Sequence, residues 1–119
     1  MHIFVKKKFI SFGDYKVKCA LGKRGIGIKK KEGDKITPKG SYKIKYVLYR
    51  KDKVKNFKSA FKKIIINKKM GWCNDPRSKK YNKLVFLPSK FTFENLYRKD
   101  RVYDLILVLN FNMSPTIKN

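Results

Sequence analysis

The chain contains two thiols, Cys19 and Cys73, and one imidazole, His2. A cysteine nucleophile needs a thiolate stabilised by a neighbouring cation or imidazole, and a general base must lie within hydrogen-bond reach of the proton it removes. His2 sits one residue from the first, so sequence position supplies neither thiol with a well-held base. Structural zinc takes four Cys or His ligands, and these three residues exclude such a site within one chain. The two cysteines either close a disulfide or stand as buried thiols. Neither has a CxxC partner, which favours the thiols.

Three other features invite chemical readings. Glycines 22, 25 and 27 lack the GxxxxGK[ST] pattern and a following helix, so a tight turn explains them better than a phosphate loop. Gly22-Lys23-Arg24-Gly25 has the spacing of a KH-domain GXXG clamp, but its flanks read as extended chain. Trp72, beside Cys73, offers either a groove wall or a core ring, and the small chain favours the core. Asp104 interrupts an apolar run. It is either catalytic or hydrogen-bonded, and without an evident partner group the structural role is preferred. No metal and no cofactor is expected.

These groups must be positioned by a short chain. With 119 residues, 42% hydrophobic and 14% aromatic, the composition specifies one domain, residues 1–119, with a packed core. The longest apolar run, Leu105 to Leu109, is far below the roughly 20 residues of a membrane-spanning helix. The N-terminus does not have the charged-then-apolar order of a secretory signal. The net charge is +24, from 32 basic and 8 acidic residues. It has two readings: a lysine surplus spread around a solvated surface, or a footprint for a polyanion, bound without sequence preference and released by salt. The scatter of lysines supports the first, and Lys29-Lys30-Lys31, Lys62-Lys63 and Lys68-Lys69 support the second.

Period-2 alternation predicts a mainly β fold. The stretch from His2 to Ile10 and the stretch from Tyr15 to Leu21 read as a hairpin turning at Phe12-Gly13-Asp14, with the odd positions of the second strand facing inward. Lys29 to Gly40 reads as a polar loop. Ser41 to Arg50 reads as a strand with Tyr42, Ile44, Tyr46 and Leu48 on the core face. Phe61 to Ile66 and Leu84 to Leu87 are further strands, Met70 to Pro76 a turn-rich segment, and Thr92 to Lys99 a helix of two turns. Val102 to Phe111 is apolar on both faces, the pattern of a central strand covered on each side.

In order, Cys19-Ala20-Leu21-Gly22-Lys23-Arg24-Gly25-Ile26, Lys31-Glu32-Gly33-Asp34, Thr37-Pro38-Lys39-Gly40, Leu48-Tyr49-Arg50, Gly71-Trp72-Cys73-Asn74-Asp75-Pro76, Tyr81-Asn82, Leu96-Tyr97-Arg98 and Tyr103-Asp104 resemble the YkuD-type L,D-transpeptidase catalytic domain, in its small single-domain branch. The resemblance implies an incomplete β-rich domain with one or two short helices, acting on peptidoglycan stem peptides in the cell envelope or periplasm. In that chemistry a cysteine thiolate attacks a stem-peptide carbonyl, expels D-alanine and passes the acyl group to an amine. It also implies Trp72, Asp104 and Asn112 as substrate-lining candidates. The family nucleophile follows a His and lies in a Thr-x-Gly-Cys motif. Neither Cys19, Cys73 nor His2 matches it, so no catalytic residue is assigned, and the chain reads as the N-terminal portion of such a domain. Asn110-Phe111-Asn112 stands where relatives carry Gly-Tyr-Asn, removing a phenol hydroxyl. The alternative is a basic, non-catalytic module for nucleic acid or an anionic cell-wall polymer.

Overall fold

A computed structural model describes residues 2–112, all β-strand, turn and irregular chain. They divide between two compact units, one up to Gly40 and one from Ser41. The fold is mainly β, and no helix among the described residues is long and apolar enough to cross a membrane.

The first unit opens with an antiparallel meander, β1 (Phe4–Lys6), β2 (Phe9–Phe12) and β3 (Tyr15–Lys18), in that spatial order. Gly13, at φ 53°, makes the expected turn between β2 and β3, and Lys7, at φ 55°, makes an additional one between β1 and β2. The alternation of β3 does not produce burial, because Tyr15 and Val17 are both exposed. β4 (Ile26–Gly27), in the stretch expected to be a glycine turn, and β5 (Thr37–Pro38), in the one expected to be a polar loop, form a short parallel pair. Gly22 is required by close approach. A Cβ there would lie 2.4 Å from the Lys35 carbonyl oxygen, and its own N–H donates to Thr37 Oγ1 at 2.7 Å. Asp34 organises the connecting loop, accepting from Lys29 Nζ and from the N–H groups of Lys30, Lys31 and Ile36.

The second unit holds two three-stranded sheets. One has the order β11 (Leu105–Leu109), β6 (Ile44–Tyr49), β7 (Lys63–Ile65), and the other β10 (Phe93–Asn95), β8 (Met70–Cys73), β9 (Leu84–Phe86). Their core is Leu48, Ile66, Met70, Leu96 and Val108, flanked by half-buried Tyr46, Ile64, Trp72, Leu84 and Ile106. Tyr46 and Leu48 thus face inward as their alternation requires.

Three sequence expectations are corrected here. Met70 to Cys73 is a central strand, because Gly71 lets β10 lie close. An added Cβ would come 2.9 Å from Phe93 Cδ2 and 3.2 Å from the Glu94 carbonyl. The two-turn helix expected over Thr92 to Lys99 is instead β10 and a turn. A helix that short forms few internal bonds, whereas Phe93 to Asn95 gains a ladder on β8. The apolar run ending at Phe111 contributes β11 at a sheet edge. Ile106 and Val108 turn to the core, while Leu105, Leu107 and Leu109 remain 40–42% exposed.

Candidate functional site

The sheet order brings several of the motif segments together. Arg50, directly after β6, is buried. Its Nε and Nη2 donate to Asp52 at 2.8 and 2.7 Å, its Nη1 donates to the Arg98 carbonyl at 2.7 Å, and its guanidinium lies 3.6 Å from the centre of the Tyr97 ring. Leu48-Tyr49-Arg50 and Leu96-Tyr97-Arg98 are therefore two halves of one packing unit, held by a cation–π contact and an arginine fork.

Around β8 a second network forms. The Trp72 indole N–H donates to Asn82 Oδ1 at 3.2 Å, and Asn82 Nδ2 donates to the carbonyls of Phe111 and Asn112 at 3.3 and 3.1 Å. The backbone seats Asn82 as well: its N–H donates to the Cys73 carbonyl at 2.9 Å, and Cys73 N–H donates to Lys83 O at 3.0 Å. Asn82 and Asn112 both lie in the left-handed region, at φ 59° and 53°, which asparagine enters at lower cost than most side chains. Two sequence candidates, Trp72 and Asn112, are thus joined through one amide. The Phe111 ring meets Tyr42 edge-on at 5.4 Å between centroids, which anchors the same turn.

Asp104 lies elsewhere. It precedes β11, whereas Asn112 follows it, a separation of roughly 20 Å along an extended strand. Its Oδ2 accepts from Arg101 Nε at 2.7 Å, and its backbone carbonyl accepts from Arg50 N–H at 2.9 Å. Its Oδ1 is buried with no hydrogen-bond partner, as is Asn74 Oδ1 on the segment after β8.

Cys73 is 2% exposed, with its Sγ 4.0 Å from the Asp75 carbonyl, and Cys19 is a half-buried free thiol. His2 is exposed, its ring lying 6.2 Å from that of Phe4. Among the described residues no group of three or more His, Cys, Asp or Glu is placed to hold a metal.

The residue whose role the sequence did not single out is Asp75. It is buried, and its carboxylate accepts from Arg77 Nε, Nη2 and N–H and from Thr92 N–H, at 2.7 to 3.2 Å. The Arg77 guanidinium holds this carboxyl well below the usual range. Burial opposes that effect, and the two backbone N–H groups add to it. Lys29 and three backbone donors depress Asp34 in the same way. A lowered folded-state pKa gives stability that is present above the unfolded value, near 3.8, and lost as pH falls toward the folded one. The melting temperature should therefore be flat from pH 7 to about 4 and fall below it. Asp75→Asn should melt lower at pH 7, and the gap to the parent should narrow progressively as pH falls below about 4. Parallel curves for the two proteins would show that Asp75 contributes no pH-dependent stability.

The family model of the L,D-transpeptidase catalytic domain, YkuD, matches residues 5–105. The chain belongs to the YkuD family of L,D-transpeptidase catalytic domains. No curated protein and no solved structure matches it.

Proposed function

We propose that residues 1–119 provide the substrate-facing scaffold of a peptidoglycan L,D-transpeptidase of the cell envelope, and that neither Cys19 nor Cys73 is its nucleophile. The observation that carries the reading is the bridge through which Asn82 ties Trp72 on β8 to the turn at Phe111 and Asn112, inside a chain of this family. An indole edge beside backbone and side-chain amides suits a stem peptide, which offers amide groups and small apolar side chains. Asp104 belongs to the scaffold in this reading, since its carboxylate faces Arg101 at the far end of β11.

The bridge offers an indole edge and amide groups but no thiol. Acyl transfer joins a thiolate sulfur to the carbonyl carbon and releases D-alanine as an amine, and the leaving nitrogen must receive a proton. Cys73 is closed off from an incoming carbonyl, and no described imidazole stands beside either thiol to manage that proton.

Two measurements test the reading. Titration of the 119-residue chain with a tetrapeptide stem should shift the NMR signals of the Trp72 indole and the Asn112 amide. Incubation with tetrapeptide donor and amine acceptor should leave no cross-linked product by mass spectrometry. A product lost on Cys73→Ser would make Cys73 the nucleophile, and shifts confined to other residues would move the binding surface elsewhere.

A further inference from the structure

Away from the Trp72 bridge, an open cleft of about 480 Å³ lies between the segment after β8 and the segment after β9. Its walls carry Arg77, Lys79, Lys80 and Lys90, and Phe86, Pro88 and Phe91 supply apolar surface. No carboxylate lines it. Asp75 is buried and holds Arg77 through Nε and Nη2, while the Arg77 side chain remains 74% exposed. That pairing fixes the guanidinium in place and leaves Nη1 free to donate, which lowers the ordering cost of meeting an anion. Lys90 Nζ sits over the Phe91 ring at 5.3 Å, and Ser89 Oγ, accepting from Phe91 N–H, fixes the same turn.

We propose that this cleft binds an anionic polymer of the cell envelope whose units are joined by phosphodiesters, and so holds the protein on the cell wall while the Trp72 surface handles stem peptides. Three lysines with no carboxylate on the cleft wall, beside an Arg77 held by Asp75 with Nη1 turned to donate, call for repeated negative charge. The apolar part separates this ligand from single-stranded nucleic acid, which needs a row of open ring faces for successive bases. Here Phe86 is widely exposed, at 63%, but Phe91 is half-buried and covered by Lys90. A small apolar floor ringed by cations suits short polyol or sugar units between phosphates. The choice of an envelope polymer rests on the proposed function, whereas the cations and rings do not.

The test compares two triple variants of equal charge. One is Lys79→Gln with Lys80→Gln and Lys90→Gln in the cleft. The other is Lys45→Gln with Lys51→Gln and Lys55→Gln, exposed positions that do not line it. The probe is poly(glycerol phosphate) of defined length, with oligothymidylate of the same charge count alongside. The cleft triple should weaken binding of the glycerol polymer on the order of tenfold at low salt, and the control triple by much less. In the unaltered chain the polymer should shift the amide signals of Ser78, Lys90 and Phe91. Phe86→Ala should weaken it further without changing the salt slope. Equal loss in the two triples would overturn the cleft in favour of diffuse charge. Tighter binding of oligothymidylate, mapped to the same amides, would overturn the envelope polymer in favour of nucleic acid. Stem-peptide shifts at Trp72 are read separately, so either proposal can fail alone.

Discussion

Leu48→Ala should cost about 2–5 kcal/mol, the largest single loss expected from any side chain of the second unit. Leu48 is fully buried at the centre of the cluster formed with Ile66, Met70, Leu96 and Val108, on the inner face of β6. Removing its branched end leaves a cavity that two short sheets cannot collapse to fill. Against a total stability of about 5–15 kcal/mol, that loss brings the unit close to unfolding. Leu107→Ala, on the opposite face of the same sheet, should cost about 1 kcal/mol or less, because Leu107 is already 40% exposed. Urea titrations with unchanged m-values would measure both. Leu107 pairs with Val47, which is buried, so comparable losses would mean that the cover over Val47 extends to the β11 edge in solution, as the apolar pattern of Val102 to Phe111 suggests.

That contrast shows where the sequence is legible and where it is not. The inner face of β6 could be read directly, because Tyr46 and Leu48 alternate along the strand and share one face, although Val47 between them is buried on the other. The same rule fails on β3, where Tyr15 and Val17 alternate just as cleanly and both are exposed. Alternation says which residues share a face, but not what that face meets. β8 was hidden for a different reason. Gly71 depletes the strand signal, yet its missing Cβ is what allows Phe93 and Glu94 to approach. β10 was hidden because a short segment takes its conformation from its neighbour, and the available ladder on β8 outweighs weak helical patterning.

For the site, residue types were readable and their grouping was not. Trp72 and Asn112 are 40 positions apart in sequence, and only the amide of Asn82 shows that they belong together. Tyr81-Asn82 carries a trace of this, since an asparagine in a polar turn is a common holder of positive φ. Nothing in the sequence says that its side chain reaches both β8 and the turn after β11. Asp104 illustrates the converse. An acid inside an apolar run attracts attention, but its carboxylate accepts from Arg101 and its carbonyl from Arg50, at the other end of the strand. In sequence Asp75 is one residue of the Gly71 to Pro76 motif with no mark of its own, yet it fixes Arg77 and the start of the Thr92 segment.

Replacing Asn82 should produce the second large effect, graded by what the new side chain retains. Asn82→Leu removes the acceptor for the Trp72 indole N–H and both donors to the Phe111 and Asn112 carbonyls, and places a branched side chain at φ 59°. Leaving half-buried polar groups unpaired costs about 1–3 kcal/mol. The backbone conformation adds about 1–2 kcal/mol for a residue that disfavours it. Asn82→Gly accommodates the backbone and loses only the bonds, so it should be the milder change. Asn82→Asp keeps an acceptor for the indole but presents carboxylate oxygen to two carbonyls, so it should spare Trp72 and loosen the turn at Phe111. Hydrogen exchange separates these effects: the Trp72 indole N–H should lose protection in the Leu and Gly variants and keep it in the Asp variant. Stem-peptide shifts at Asn112 should fall in all three if this amide positions the turn. Unchanged protection and peptide binding in Asn82→Leu would show that packing of Phe111 on Tyr42 holds the turn unaided, and that Asn82 only fills space beside Trp72.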